Sequence, residues 1–175
     1  YNCRKCGFTT FQSHKQILHC TTCNMMLRYN EYKQFEGINI DAPFKNVNEW
    51  YEYQKIKLFD MKLMSYDTNY LFFEDKVKFI EVLFRKSKKI IDKNAIIKMY
   101  SNRIEVIYQE KKSQFLFDKI SSSGVFGKNK LNFYVDKYIL QFKGNHSFNA
   151  MKYVNLFYKY KIEKGDVKND KFLGL

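Results

Sequence analysis

Four cysteines lie within the first 23 residues of the 175-residue chain: Cys3, Cys6, Cys20 and Cys23. Their pattern is C-x2-C-x13-C-x2-C. Two close pairs a dozen or so residues apart suit a tetrahedral zinc ion, because each pair supplies two thiolates from one tight turn. Gly7 follows the first pair and Asn24 the second, and these residue types best tolerate the positive φ that a metal knuckle often needs after its second cysteine. The alternative is two disulfides. A C-x-x-C pair bridged within itself closes too small a ring to stabilise much, and no cysteine occurs after residue 23. The spacing therefore predicts one structural zinc ion, since four thiolates leave no open position for a catalytic water. His14 and His19 lie between the pairs and could replace a cysteine. His19 directly precedes Cys20 and would crowd the knuckle, so both are read as bystanders.

A second constellation is electrostatic. The net charge is +13, with 27 Lys against 4 Arg. Lys, Asn, Ile, Tyr and Phe make up half of the chain, and all have AT-rich codons. A low-GC bacterial genome produces that bias without selection for binding, so charge carries meaning only where it clusters. Residues 38–75 are net acidic, and the basic excess lies beyond them. The densest run is Arg85, Lys86, Lys88, Lys89 and Lys93, five basic residues in nine. It is a candidate contact for an anionic lipid or another partner, against the plainer reading of a solvated hairpin. Other chemistry is missing. The sequence has no Gly-rich phosphate loop, no serine elbow and no paired-carboxylate motif. His146, beside Ser147, reads as a turn residue. No catalytic residue is assigned.

The elements that must position the cysteines are short strands. Gly7 to Phe11, Gln16 to Cys20, Met25 to Asn30 and Tyr32 to Gly37 read as a ribbon over residues 1–37. So small a module needs the metal to fold. Residues 38–60 read as a linker and helix. Asn46 can cap it, with Glu49 three residues on as in a capping box. Val47, Trp50, Tyr51 and Leu58 form its apolar stripe.

The order of these segments resembles a known family. Tyr-Asn-Cys-Arg-Lys-Cys-Gly-Phe opens the chain, followed by Leu-His-Cys-Thr-Thr-Cys-Asn. Then come Tyr29-Asn-Glu-Tyr-Lys-Gln-Phe-Glu-Gly37, Phe44-Lys-Asn-Val-Asn-Glu-Trp50 and Trp50-Tyr-Glu-Tyr53-Gln54. The run is similar to the segment after the catalytic domain of bacterial lysophospholipid acyltransferases, the 1-acylglycerol-phosphate acyltransferase family. The resemblance covers residues 1–58. Catalysis in that family depends on an H-x4-D motif, and here His14, His19 and His146 are followed at +5 by His19, Asn24 and Met151. The resemblance thus implies a non-catalytic accessory region of such an enzyme, cut from a longer protein.

Residues 61–165 read as a β domain. Strands are expected near Val77–Phe84, Ala95–Tyr100, Arg103–Gln109, Gln114–Asp118, Ser123–Phe126, Lys130–Val135 and Tyr138–Lys143, with tight links at Ser101-Asn102 and Asp136-Lys137. A helix follows, capped by Ser147 and carrying Met151, Val154, Phe157 and Tyr158 on one face. Seven antiparallel strands and one C-terminal helix resemble the pleckstrin-homology-like superfold. Residues 166–175 read as a tail. The expected fold class is mainly β: a four-Cys zinc ribbon, a linker helix and a pleckstrin-homology-like barrel. The expected partners are the catalytic domain of the same parent protein and an anionic membrane surface, with a nucleic-acid-binding zinc ribbon as the alternative. The expected location is the cytoplasm, peripheral at the inner membrane face.

Overall fold

A computed structural model of the chain describes residues 2–82, 87–127 and 129–166. It divides into two compact units that meet in sequence between Met61 and Lys62. The helix expected as a linker therefore belongs to the first unit.

In the first unit, β1 (Asn2–Cys3) pairs with β2 (Gly7–Phe8) across the first cysteine turn. A four-stranded antiparallel sheet follows in sequence order: β3 (Phe11–His14), β4 (Ile17–Cys20), β5 (Met26–Tyr29) and β6 (Phe35–Gly37). The strand expected over Gly7–Phe11 is thus two strands in two sheets. Helix α1 (Val47–Asp60) starts as the sequence predicts, with the Asn46 side chain accepting from the Glu49 N–H at 3.0 Å. The reciprocal bond goes one residue further out, from the Lys45 N–H to Glu49 at 2.7 Å. The helix has no fully buried residue and covers the ribbon with one face.

The second unit is a curled antiparallel sheet of seven strands. They are β7 (Phe73–Val82), β8 (Lys88–Met99), β9 (Arg103–Tyr108), β10 (Lys111–Leu116), β11 (Ile120–Phe126), β12 (Lys130–Val135) and β13 (Tyr138–Lys143). The order β10-β9-β8-β7-β13-β12-β11 places the first strand of the domain beside the last, so the sheet closes around β7 into a half-barrel. Helix α2 (Ala150–Glu163) packs on β11 and β12, the arrangement expected of a pleckstrin-homology-like domain. Phe157 of α2 meets Phe117 and Phe133 edge to face, with ring centroids 5.5 and 5.8 Å apart, while Phe79 stacks on Phe142 at 5.1 Å. Glu163 ties α2 back to the start of the unit by accepting from the N–H groups of Leu63 and Met64 at 2.8 and 2.9 Å.

β6 begins at Phe35 rather than Tyr32, β7 at Phe73 rather than Val77 and β11 at Ile120 rather than Ser123, and three further local expectations change. The helix cap is Asn149, which accepts from the Met151 N–H at 3.1 Å, while Ser147 is held in the preceding turn by Asn145. β10 begins at Lys111 rather than near Gln114. The turn before it uses Gln109 and Glu110, both at positive φ (46° and 63°), without the Asn-Gly signature of such turns. Tertiary bonds hold it, from the Gln109 N–H to Asp92 at 2.9 Å and from its side chain to the Ile91 carbonyl at 2.8 Å. Finally, β8 begins at Lys88 rather than Ala95, because the long strand β7 provides a partner for a stretch with no alternation of its own.

Candidate metal centre

The two cysteine pairs reach one point from separate turns. Gly7 takes φ +79° and Asn24 takes φ +56°, the conformations the sequence calls for after each pair. In the second turn the Asn24 N–H donates to the Cys20 carbonyl at 3.1 Å, and the Cys20 N–H donates to the Met25 carbonyl at 2.9 Å. All four sulfurs lie within 4.8 Å of one another. Cys3 and Cys23 are 3.7 Å apart, and Cys6 and Cys20 are 3.6 Å apart. A disulfide needs about 2.05 Å, so neither is bonded. A tetrahedron with metal–sulfur bonds of about 2.3 Å has edges of roughly 3.8 Å, close to these separations. The donor set and its spacing therefore fit a structural metal ion. With four thiolates on a tetrahedral ion, no position remains for water or substrate.

Without an ion, three of the thiols are displaced from their ordinary range in different directions. Burial, and hydrogen bonds from Cys20, Cys23 and Cys3, push the Cys6 thiol up to about 12. Cys23 is also raised, by burial first. Burial opposes the Cys20 thiolate too, yet the Cys23 N–H and the Thr9 hydroxyl overcome it and bring that thiol down to about 6.

Sequence reasoning passed over Thr9. It is buried, 3.6 Å from the Cys20 sulfur, and its hydroxyl lies 2.7 Å from that of Thr22. The contact spans eleven residues and leaves no local pattern. His14 is exposed, and His19 bonds to Asn24 at 3.2 Å, so neither histidine belongs to the sulfur cluster.

The cysteines sit in a core that includes Met25, Leu27, Phe35 and Phe44. Trp50 of α1 meets Phe11 at 5.1 Å and Phe35 at 6.1 Å, both edge to face, and Tyr53 meets Phe44 at 5.2 Å. Gln54 grips the first strand, donating to the Asn2 carbonyl and accepting from its N–H, both at 2.6 Å. Gly37 is needed where the chain doubles back, because a Cβ there would collide with the Ile40 carbonyl. Among the described residues, no second group of three or more His, Cys, Asp or Glu could hold a metal.

The basic run is only partly described. Arg85 and Lys86 lie outside the described residues. Lys88 and Lys89 are not in a loop but paired in β8, opposite Val82 and Glu81. Lys93 sits further along β8, where the strand bulges. All three are exposed. No helix among the described residues is long and apolar enough to cross a membrane.

In comparisons with protein-family models, curated proteins and solved structures, nothing matches this chain.

Proposed function

We propose that the chain is the non-catalytic C-terminal region of a bacterial lysophospholipid acyltransferase-like protein. In this reading it packs on and orients an upstream catalytic domain at the inner face of the membrane, with zinc as the ion held by Cys3, Cys6, Cys20 and Cys23. Zinc suits the site because it accepts four thiolates tetrahedrally and has no redox chemistry of its own. There it would offset half of the charge of the four thiolates and tie β1 and the β4–β5 turn together, and the protein supplies the rest of the core.

One observation carries the reading. The residues that bear the family resemblance converge on the sulfur cluster rather than on a cleft: Tyr29, Phe35, Phe44, Trp50 and Tyr53 all belong to the core around the cysteines. A shared motif of this kind specifies a fold. It is what an accessory module would carry if chemistry were done elsewhere.

Two measurements test it. Elemental analysis of the purified chain should find one zinc per molecule. The gene upstream of Tyr1 should encode a domain with an H-x4-D motif, and the whole protein should transfer an acyl group to a lysophospholipid. Absence of that motif and activity sinks the acyltransferase reading, while a chain without metal sinks the zinc assignment separately.

A further inference from the structure

The register of the second unit brings together lysines that are far apart in sequence. Lys130 of β12 is directly opposite Lys143 of β13, and Lys143 is directly opposite Lys78 of β7. Cross-strand partners in an antiparallel ladder project from the same face. Val77, Phe79, Leu131, Phe133 and Phe142 are buried on the inner face, so the three lysines project from the outer face, where Lys143 is exposed, Lys78 and Lys130 are half-buried, and the next row, Asn132, Gln141 and Ile80, is buried. With strands about 4.8 Å apart, the three ammonium groups stand in a row roughly 10 Å long. Exposed Lys93 lies in the β8 bulge opposite Lys78 and extends the row by one strand.

Like charges directly opposite one another destabilise a sheet. The ion pairs of the second unit use other lysines, and Lys78, Lys130 and Lys143 have no acidic partner among the described residues. The row is a line of positive charge without acidic partners, running from the β12 and β13 strand ends at Lys130 and Lys143 to the middle of β7 at Lys78.

Two apolar residues flank it on the same face. Phe126, the register partner of Lys130 on edge strand β11, is 57% exposed. Ile90 of β8, opposite Ile80, is 50% exposed.

We infer that the convex face of β11–β12–β13–β7 is a contact surface for an anionic membrane, with Lys78, Lys130 and Lys143 as its electrostatic core and Phe126 and Ile90 as apolar contacts. The chemistry favours a bilayer over the alternatives. Lysines are compact point charges without the fixed fork that reads a phosphate in one geometry, so they suit a fluid layer of headgroups. A convex face can touch a plane but does not enclose a small ligand. A single strand of nucleic acid would want a run of stacking rings, and here one exposed phenylalanine stands at the row's end. The surface follows from the strand register alone and does not depend on the acyltransferase reading.

The test is flotation of the 175-residue chain with phosphatidylcholine vesicles made with and without phosphatidylglycerol. The chain should float with the anionic vesicles only, and less as salt is raised, because the screening length falls to about 3 Å at 1 M. The Lys78→Glu/Lys130→Glu/Lys143→Glu variant should partition about 100-fold more weakly, since each lysine near such a surface contributes severalfold. Lys5→Glu/Lys15→Glu/Lys33→Glu makes the same change in net charge on the first unit and should leave binding within about threefold. Lys143→Glu alone places an acid between two lysines, so it should raise Tm by a few degrees while weakening binding. Lys143→Gln, which keeps the stem, should weaken binding too and serves if the triple variant does not fold. The inference is overturned if row variants float as the parent does, if Lys88→Glu/Lys89→Glu removes binding while the row variants do not, or if the row binds a single-stranded oligonucleotide and not vesicles.

Discussion

The two units of this chain solve the problem of a small core in different ways. The first, through Met61, has short strands of two to four residues and a helix with no fully buried side chain. Its buried residues are few, and two of them, Cys3 and Cys20, are candidate metal ligands. The second, from Lys62, has strands of six to twelve residues and a helix with eight buried positions. Its interior is filled by aromatic rings in direct contact, such as Phe117, Phe133 and Phe157. Surface-to-volume scaling explains the difference. A chain of some 60 residues buries too small a share of its surface to stand far above the entropy of ordering it, whereas one of about 100 has a core of its own. In the first unit the cysteines stand where the second has phenylalanines.

The comparison should break most visibly at the cysteine cluster, if the ion it fits is removed. Chelation, or Cys20→Ser, should unfold residues 2–61 and leave 62–166 folded, with a loss on the order of 10 kcal/mol confined to the first unit. Amide spectra before and after chelation separate the units directly. A single cooperative loss of both would show that they fold as one.

The reciprocal change acts on the other side. Phe157→Ala empties a fully buried ring position between Phe117 and Phe133 and should cost the second unit about 3–5 kcal/mol. Metal stoichiometry should not change. Loss of metal in that variant would contradict independent cores.

Acid should separate the units more gently. Glu105 is 2% exposed, and burial by itself would raise its carboxyl. Hydrogen bonds from Lys112 at 2.8 Å and Arg103 at 3.1 Å outweigh that and hold it below the ordinary carboxylate range. A depressed folded-state value means that the stabilisation is present above about pH 4.5 and is lost as pH falls through the folded value. Glu105→Gln should cost about 2 kcal/mol at neutral pH and flatten this part of the acid limb. Thermal melts from pH 6 down to about pH 3 would read it; an unchanged limb would mean that other carboxyls govern acid unfolding.

The smallest effect sharpens the first unit. Asn46→Ala removes the cap bond to Glu49 and should cost about 1 kcal/mol, weakening the helix that holds Trp50 over the ribbon. Metal affinity should fall by several-fold, measured by competition with a chelator, because the aromatic cover and the sulfur cluster share one core. An unchanged affinity would mean that the metal organises the ribbon without help from α1.

What the sequence alone determined is what depends on short spacing. The cysteine cluster follows from C-x2-C repeated, the turn conformations after each pair from Gly7 and Asn24, and the start of α1 from Asn46 and Glu49. Strands β12 and β13 match their expected limits, Lys130–Val135 and Tyr138–Lys143, because both have a clear apolar alternation and a two-residue link at Asp136-Lys137. What only the tertiary structure decided depends on register and long-range pairing. Asp92 and Ile91 stabilise a turn whose own residues do not specify it. β7 pairs with Lys88–Asp92, so a stretch between two expected strands is itself part of a strand. Thr9 reaches Cys20 across eleven residues. Lys78, Lys130 and Lys143 become neighbours only once β13 pairs with both β7 and β12. Local chemistry can be read along the chain because backbone geometry relates residues a few positions apart. Which lysine faces which is set by how distant strands bury their apolar faces, and the chain's order does not encode that one residue at a time.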